Sequence, residues 1–230
     1  MRLFREKARG FYCTAFAFFC AKFLHNLSFN VGNTMPIFYA KQIVMDKLIL
    51  ASKSPRRSLL LRENGIDFEV VASNATEIVA AATPRMLVEQ NALIKAQSVS
   101  ENYPDRLVMG ADTIVALGND VFGKPKDEKE AVQMLKTLSG KTHSVFTAVA
   151  LVCKSKNIKK VSSQESKVKF KNLSESEILD YIKAVYVLDK AGAYAAQENG
   201  SMIIEKIDGD FDNVMGLPCR LVGEMLATVK

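Results

Sequence analysis

Tryptophan is absent from this chain of 230 residues, and histidine and cysteine are scarce. The two histidines, His25 and His143, are too few for a histidine-rich metal site. A catalytic metal would therefore have to be held by oxygen ligands, which favours Mg²⁺ or Mn²⁺. The four cysteines include no CxxC pair, which argues against structural zinc. This cysteine usage suits a reducing compartment, so we expect a cytoplasmic protein.

Several common motifs are also missing from the sequence. There is no GxxxxGK[ST], no GxGxxG after a strand and no GxSxG, which excludes a P-loop, a dinucleotide-binding turn and a nucleophile elbow. No basic platform with interleaved aromatic residues suits single-stranded nucleic acid. Of the net charge of +6, residues 1–46 contribute +4 and the other 184 residues only +2. We therefore expect no nucleic-acid partner.

The N-terminal segment differs from the rest of the chain. Basic MRLFREKARG precedes apolar FYCTAFAFFCAKFL, as in the n- and h-regions of a signal peptide. The apolar run ends at Lys22, which is too short to span a bilayer. Because MDKLILAS opens directly on a strand, a translation start at Met45 is our preferred interpretation, and a targeting or membrane-surface segment is the alternative. We predict an extension over residues 1–46 and one domain over residues 47–230, with no membrane partner for that domain.

Strands and helices alternate in the predicted domain. Helices are indicated by capping residues and helical periodicity, and strands by short apolar or alternating runs. The predicted strands are 47–51, 67–73, 107–117 and 202–207, with a hairpin formed by THSVFTAVALVCK and KVSSQESKVKF. The predicted helices are SPRRSLLLRENG, 84–101, KDEKEAVQMLKTLSG, SESEILDYIKAVYVL and a closing helix from Pro218. This alternation predicts an α/β fold, with GADT interrupting the 107–117 strand.

The turn ASKSPRR places two arginines at the start of the first predicted helix. A helix N-terminus already carries about half a positive charge, so Arg56 and Arg57 are unfavourable there unless an anion binds. Free N–H groups, the hydroxyls of Ser52 and Ser54 and two guanidinium groups together suit a phosphate. The alternative is that Ser54 and Pro55 only cap the helix and the arginines are solvated.

Asp112 lies in GADT, inside the otherwise apolar run LVMGADTIVAL. A buried carboxylate is costly unless it is paired or binds a metal. Ligands of open α/β sheets bind beyond the carboxyl ends of the strands, so Asp112 is the candidate catalytic or metal-binding carboxylate. The alternative is an aspartate that starts a turn, but the apolar sequence resumes at once with IVAL.

Two further segments carry weaker signals. GKPKD presents Lys124 on a tight turn. DKAGAYAAQENG contains Lys190, Tyr194 and Gln197 among small residues that let a ligand approach the backbone. Taken alone, such residues are more often solvated or structural. His143, a lone histidine that opens a strand, is also more often structural than catalytic.

The ordered set of motifs resembles the Maf family of nucleoside triphosphate pyrophosphatases from about Leu48 to Leu226. The motifs are ASKSPRR, Glu77, Lys95 in NALIKA, GADTIVAL, FGKPKD, MLKTLSGKTHSVFTAVAL, LDKAGAYAAQ and IDGDFDNVMGLP. The resemblance implies an ITPase-like α/β fold with a mixed twisted sheet, two lobes around a deep nucleotide-binding cleft, and a homodimer. It also implies hydrolysis of a nucleoside triphosphate to the monophosphate and pyrophosphate with a divalent cation.

The resemblance assigns catalytic roles to four residues. The family's proton-accepting aspartate falls on Asp112, its essential acidic residue on Glu77, and its two functional lysines on Lys95 and Lys124. Our hypothesis is that Asp112, with Glu77, holds Mg²⁺ together with phosphate oxygens and waters. One carboxylate then orients or deprotonates the water that attacks the α-phosphorus.

The resemblance also indicates the substrate. Arg56, Thr113 and Gln197 are typical of the branch that resembles dTTP and UTP pyrophosphatases, and Arg57 and Lys190 join them as predicted substrate-binding residues. The branch that acts on 7-methyl-GTP typically has SPWRR and a glutamine in place of that threonine. We expect Gln197 to pair with O4 and N3–H of thymine or uracil, with Thr113 fixing the orientation of its amide.

Two departures from the family pattern concern base selection more than the reaction. Ala195-Ala196-Gln197-Glu198 replaces the usual Gly-Ile-Gln-Gly, and the usual acidic pair is reduced to Glu77. The expected function is house-cleaning hydrolysis of dTTP, UTP and 5-modified pyrimidine analogues. The alternatives are a non-enzymatic regulator of septum formation and a pyrophosphatase with another base preference, such as 7-methyl-GTP.

Overall fold

The computed structural model describes residues 47–229, so the predictions for residues 1–46 lie outside the described part of the chain. Seven strands form one sheet of order β2-β1-β3-β5-β6-β7, and β4 pairs with β3 off this path. The strands are β1 (Leu48–Leu50), β2 (Phe68–Val70), β3 (Val108–Leu117), β4 (Asp120–Phe122), β5 (Thr142–Cys153), β6 (Ile158–Phe170) and β7 (Ile204–Asp208). The helices are α1 (Pro55–Glu63), α2 (Pro84–Ser100), α3 (Glu128–Leu138), α4 (Glu175–Ala184), α5 (Phe211–Met215) and α6 (Cys219–Ala227). Strand β1 is parallel to both neighbours and the other pairs are antiparallel, which confirms the mixed α/β class.

Most predicted elements are present, with bounds that differ by a few residues. Strands β5 and β6 form the predicted hairpin along their whole length. Strand β3 is continuous through GADT, where the sequence predicted an interruption, because β5 pairs with every residue of that stretch. The sequence did not predict β4, α5 or the two 3-10 turns at Ala191–Ala193 and Gly200–Met202. None of the helices described in residues 47–229 is long and apolar enough to cross a membrane.

Helices α2 to α5 start with a side-chain capping hydrogen bond, whereas the N-cap residues of α1 and α6 make none. Ser174 caps α4 and forms a capping box with Glu177, and Asp127 accepts a hydrogen bond from the Glu130 amide at the start of α3. Both carboxylate and hydroxyl caps satisfy first-turn N–H groups. Ser54 occupies the N-cap position of α1, but its side chain makes no capping hydrogen bond. The N-terminus of α1 therefore keeps its capacity to bind an anion.

On one edge of β3, the middle of the strand has no paired neighbouring strand among the described residues. Pairing with β1 ends at Met109, and pairing with β4 begins at Val115. Asp112 and Thr113 lie in this interval and project from opposite faces, because successive side chains of a strand alternate. Helix α2 packs on one face of the sheet, and α1 and α6 pack on the other. A ligand that approaches this edge can therefore meet side chains from both faces.

The apolar core consists of three clusters that define two lobes. Two clusters sandwich β1, β3 and the C-terminal half of β5 between α2 on one side and α1 and α6 on the other. The third cluster surrounds Val145 of β5 and Val168 of β6 and is closed by α3 and α4, with Leu135 and Tyr181 fully buried. The first two clusters form one lobe and the third forms the other. Residues from both lobes line a cleft, which matches the predicted arrangement of two lobes.

Gly110 allows α2 to approach β3 closely. A Cβ atom at this position would lie 2.1 Å from the carbonyl oxygen of Ala92 and 2.7 Å from the backbone nitrogen of Ala96. Since both are backbone atoms of α2, any larger residue would force the helix away from the sheet. The close packing brings Lys95 of α2 within reach of Asp112 on β3.

Candidate active site

A cleft of about 500 Å³ opens beside the middle of β3. An adjoining pocket of about 290 Å³ continues it past the start of α1 and includes Ser52. Apolar side chains, among them Val115, Val121 and Tyr194, line part of the larger cleft. The predicted site residues that line the larger cleft are Ser54, Arg56, Arg57, Glu77, Lys95, Asp112, Thr113, Lys124, Lys190 and Gln197. The structure thus brings the predicted residues together in one place.

Arg57 is held by neutral acceptors. Its Nε donates to the Gly216 carbonyl oxygen at 2.9 Å, and its Nη1 and Nη2 donate to Ser52 Oγ and Thr113 Oγ1, each at 3.0 Å. Burial lowers the pKa of Arg57 below its ordinary value, while the charge of Asp112 acts in the opposite direction. A desolvated guanidinium whose hydrogen bonds go to neutral oxygens has positive charge to offer an anion.

Arg56 differs from its neighbour because it is already paired. Its Nη1 donates to Asp189 Oδ2 at 2.9 Å. Asp189 also accepts from the buried Lys190 ammonium at 2.8 Å, and Lys190 lies 3.4 Å from Glu198. Although partial burial acts against it, hydrogen bonds from Lys190 and Arg56 hold the pKa of Asp189 below its usual range. The network spans the start of α1 and the segment before the 3-10 turn at Ala191–Ala193.

Lys95 links the two predicted carboxylates. Its Nζ donates to Asp112 Oδ1 at 2.7 Å and lies 3.0 Å from Glu77 Oε2. The side chains of Lys95 and Asp112 are 13% and 10% exposed, whereas that of Glu77 is 49% exposed. The inner pair is therefore shielded from solvent, and Glu77 is the partner with room to move. The ion pair with Lys95 explains how the carboxylate of Asp112 can be buried on β3.

The donor set can accommodate a divalent cation that brings further ligands. Across residues 47–229, no cluster of three or more His, Cys, Asp or Glu side chains forms a metal site. Mg²⁺, however, is commonly bound through one or two carboxylates, with substrate phosphates and waters completing its shell. Asp112 and Glu77 converge on one cationic atom, Lys95 Nζ. They therefore fit a cation that is also bound by phosphate oxygens.

Two predicted substrate-binding residues, Thr113 and Gln197, have different surroundings from those expected, whereas Lys124 was predicted as a catalytic lysine of the site. Thr113 Oγ1 contacts Arg57, Thr147 Oγ1 at 3.0 Å and, more weakly, the Gly216 carbonyl, so it positions Arg57 rather than the Gln197 amide. Gln197 is exposed in the cleft, and its Nε2 donates to Glu198 Oε1 at 3.3 Å. Lys124 lines the cleft and is exposed.

Sequence reasoning missed the role of Asp189 and the contact by which His143, expected to be structural, supports the cleft. Asp189 pairs with Arg56 and Lys190, and its place beside Lys190 in LDKAGAY was the signal that could have revealed it. His143 Nε2 lies 2.8 Å from the hydroxyl of cleft-lining Tyr194. Both rings pack edge-to-face with Phe170, and burial lowers the pKa of His143 to about 4. His143 is thus neutral at pH 7 and supports the wall of the cleft, in keeping with a structural role.

The fold and the cleft define a mixed α/β protein in which basic and acidic side chains line one cleft beside β3. The family model described as "Maf-like protein" matches residues 47–229, and the chain belongs to this family. The family predicted from the motifs is thereby confirmed.

Similar proteins cover most of the chain. The dTTP/UTP pyrophosphatase of Thermosipho africanus is 47% identical over 180 residues, which are 78% of this chain and 92% of the relative. Its counterpart in Aquifex aeolicus is 48% identical over 172 residues, or 75% and 90% of the two chains. The solved Ham1 protein of Staphylococcus aureus shares 13% identity at a TM-score of 0.48, covering 80% of this chain and all of that one.

Proposed function

We propose that this protein hydrolyses nucleoside triphosphates, with dTTP and UTP preferred, to the nucleoside monophosphate and pyrophosphate, and so clears unwanted nucleotides from the pool. The observation that carries the proposal is Arg57, a desolvated guanidinium with neutral acceptors, beside the Lys95–Asp112 pair in one cleft. The relatives named dTTP/UTP pyrophosphatase, at 46–48% identity, support both the reaction and the substrate.

The proposed mechanism divides the charged residues between binding and chemistry. Arg57 and the N-terminus of α1 bind phosphate oxygens, and Lys95 and Lys124 neutralise charge on the departing pyrophosphate. Asp112 orients a water and accepts its proton as the water oxygen attacks the α-phosphorus and the bond to the bridging oxygen breaks. A Mg²⁺ or Mn²⁺ ion held by Asp112 and Glu77 would supply further neutralisation of phosphate charge. Positioning and electrostatics then provide most of the catalysis.

Base selection is proposed to depend on the apolar part of the cleft and on Gln197. The Gln197 amide can donate to O4 and accept from N3–H of uracil or thymine. Its neighbour Glu198, 3.3 Å from Gln197 Nε2, provides an acceptor that orients the amide nitrogen. We also propose that the protein acts in the cytoplasm as a homodimer, as the family resemblance implies, and a sizing experiment would test the dimer.

The substrate proposal is tested with purified protein and a panel of triphosphates. We expect pyrophosphate release with kcat/KM highest for dTTP and UTP and low for purines. The Gln197 amide in this orientation matches O4 and N3–H of a pyrimidine 2,4-dione and mismatches cytosine and adenine. Guanine presents a similar hydrogen-bonding edge, and its rejection is supported by the relatives named dTTP/UTP pyrophosphatase. A preference for GTP or 7-methyl-GTP would contradict the base assignment. Absence of pyrophosphate release from every triphosphate would instead favour the non-enzymatic septum regulator.

The role of Asp112 is tested by Asp112→Asn. Since the amide can neither accept the proton nor hold a cation as strongly, we expect kcat to fall by about 10³-fold or more. Asp105→Asn is the matched control, because Asp105 is an exposed aspartate outside the cleft, and its turnover should equal that of the wild type. Retention of activity by the folded Asp112→Asn variant would contradict the mechanism.

A further inference from the structure

Lys95 holds a position that a cation bound to Asp112 and Glu77 would also need. The ammonium is 2.7 Å from one carboxylate and 3.0 Å from the other. It comes from α2, whose close packing on β3 is fixed at Gly110. A divalent cation that is shared by the same two carboxylates would lie within a few ångströms of the ammonium, and like charges at that distance repel strongly in a shielded site.

We propose that Lys95 acts as a resident counter-ion that keeps divalent cations out of the nucleotide-free site and releases the carboxylates when a triphosphate binds. The inference rests on the proposed function, since it needs a phosphate chain to attract the ammonium. The flexible stem of lysine allows its Nζ to turn from the carboxylates to phosphate oxygens. Glu77, the more exposed carboxylate, can then adjust its position around the incoming cation.

The proposal predicts the order in which the divalent cation and the nucleotide bind. Without nucleotide, the two carboxylates and the ammonium leave one negative charge, which attracts a divalent cation weakly. With nucleotide, the phosphate chain adds negative charge and ligand oxygens while it takes over the ammonium. The cation therefore binds together with the triphosphate, and the free protein does not have to hold a metal. This arrangement also explains how Asp112 and Glu77 remain paired while the cleft is empty.

The test measures Mn²⁺ binding to the full chain by electron paramagnetic resonance of free Mn²⁺, in the absence of nucleotide. We expect weak binding to the wild type and binding at least about tenfold tighter to Lys95→Met, which keeps an unbranched side chain one atom shorter and removes its charge. Lys95→Gln should show the same gain. Adding Asp112→Asn to Lys95→Met should remove the gain, because the gained site needs that carboxylate.

Lys124→Met is the matched control. It removes the same charge from the same cleft, but Lys124 forms no ion pair with a carboxylate among the described residues, so its Mn²⁺ affinity should stay near that of the wild type. A non-hydrolysable dTTP analogue should raise the Mn²⁺ affinity of the wild type above that of protein or analogue alone.

Two results would overturn the inference. The first is a measurement in which both Lys95→Met and Lys95→Gln bind Mn²⁺ no more tightly than the wild type does. The other, which needs no variant to fold, is nucleotide-free wild type binding Mn²⁺ as tightly as the analogue-bound protein. These outcomes are separate from a failure of the proposed function, which would appear as a lack of pyrophosphate release whatever the Mn²⁺ affinities.

Discussion

Arg56 and Arg57 are adjacent in the sequence but have different electrostatic roles. Asp189 neutralises Arg56, and Lys190 shares that carboxylate. Arg57 has only hydroxyl and carbonyl partners, and each of these acceptors has a further partner. Ser52 Oγ accepts from the Ser54 amide, and Thr113 Oγ1 also contacts Thr147 and Gly216. The unfavourable charge at the start of α1 is thus concentrated on Arg57.

Replacing Arg57 should separate activity from stability. In Arg57→Met we expect kcat/KM to fall by about 10²-fold, since a charge-assisted hydrogen bond contributes roughly 1.5–3 kcal/mol. The free energy of unfolding should stay equal or rise, because a partly buried charge is removed and its acceptors keep other partners. Kinetics and urea unfolding measure the two effects, with Arg62→Met, at an exposed arginine of α1, as the control. A large loss of stability in Arg57→Met would show that this arginine serves the fold instead.

His143 should make stability depend on pH. Its pKa is lowered to about 4 in the folded protein by burial, against about 6.5 when unfolded. The unfolded chain therefore binds a proton that the folded chain excludes, so this contribution is full above pH 6.5 and is lost as the pH falls toward 4. We expect a loss of about 2 kcal/mol between pH 7 and pH 5.

The measurement is urea unfolding of the wild type and His143→Gln at pH 7 and pH 5. Glutamine does not titrate, and its amide can either accept from or donate to the Tyr194 hydroxyl. Its stability should therefore depend less on pH, by about the same 2 kcal/mol. An equal pH dependence in both proteins would mean that His143 is protonated without penalty when folded.

At the scale of elements, the packing of α2 on β3 positions the Lys95–Asp112 pair. A methyl group at Gly110 would overlap backbone atoms of Ala92 and Ala96. Lys95 lies between these two positions, so any shift of the helix also moves its ammonium. The glycine in GADT thus allows the helix to pack closely. The ion pair between Asp112, two residues later, and Lys95 depends on that packing.

Gly110→Ala should therefore impair both stability and turnover. We expect the free energy of unfolding to fall by about 3 kcal/mol, as in overpacked cores. Turnover of the folded fraction should fall by about 10²-fold, because Lys95 and Asp112 separate. Gly223→Ala is the control: Gly223 lies in α6 with open space around it, so alanine should add roughly 0.5–1 kcal/mol of stability. Unfolding curves that coincide for Gly110→Ala and the wild type would contradict the close packing.

The missed elements are short and depend on their neighbours. Strand β4 has only three residues and exists because β3 offers it a free edge at Val115–Leu117. Helix α5 has five residues, too few for a periodic pattern. Long elements such as β5 and α2 were predicted because their apolar patterns extend over several turns or strand repeats. Sequence patterns thus determine long elements, whereas short ones are stabilised by tertiary contacts.

At the scale of the molecule, residues 47–229 contain the three apolar clusters and the residues of the cleft. We therefore expect a chain that starts at Met45 to fold and to retain full turnover. Its melting temperature should lie within about 2 °C of that of the full chain, since a difference of about 1 kcal/mol shifts a domain of this size by 2–4 °C. Thermal unfolding and pyrophosphate release compare the two chains. A truncated chain that is unfolded or inactive would give residues 1–44 a role in the fold or in the activity.

The sequence by itself determined the α/β class, the hairpin of β5 and β6, the family and most of the charged residues in the cleft. These follow from local periodicity, capping residues and ordered motifs. Only the tertiary structure decided the electrostatic role of each residue. Asp112 and Thr113 project from opposite faces of β3 and reach one cleft only because the strand edge between β1 and β4 is open. Arg56 meets Asp189 across 133 residues and Arg57 meets Gly216 across 159, and no local pattern encodes contacts between residues so distant in the chain.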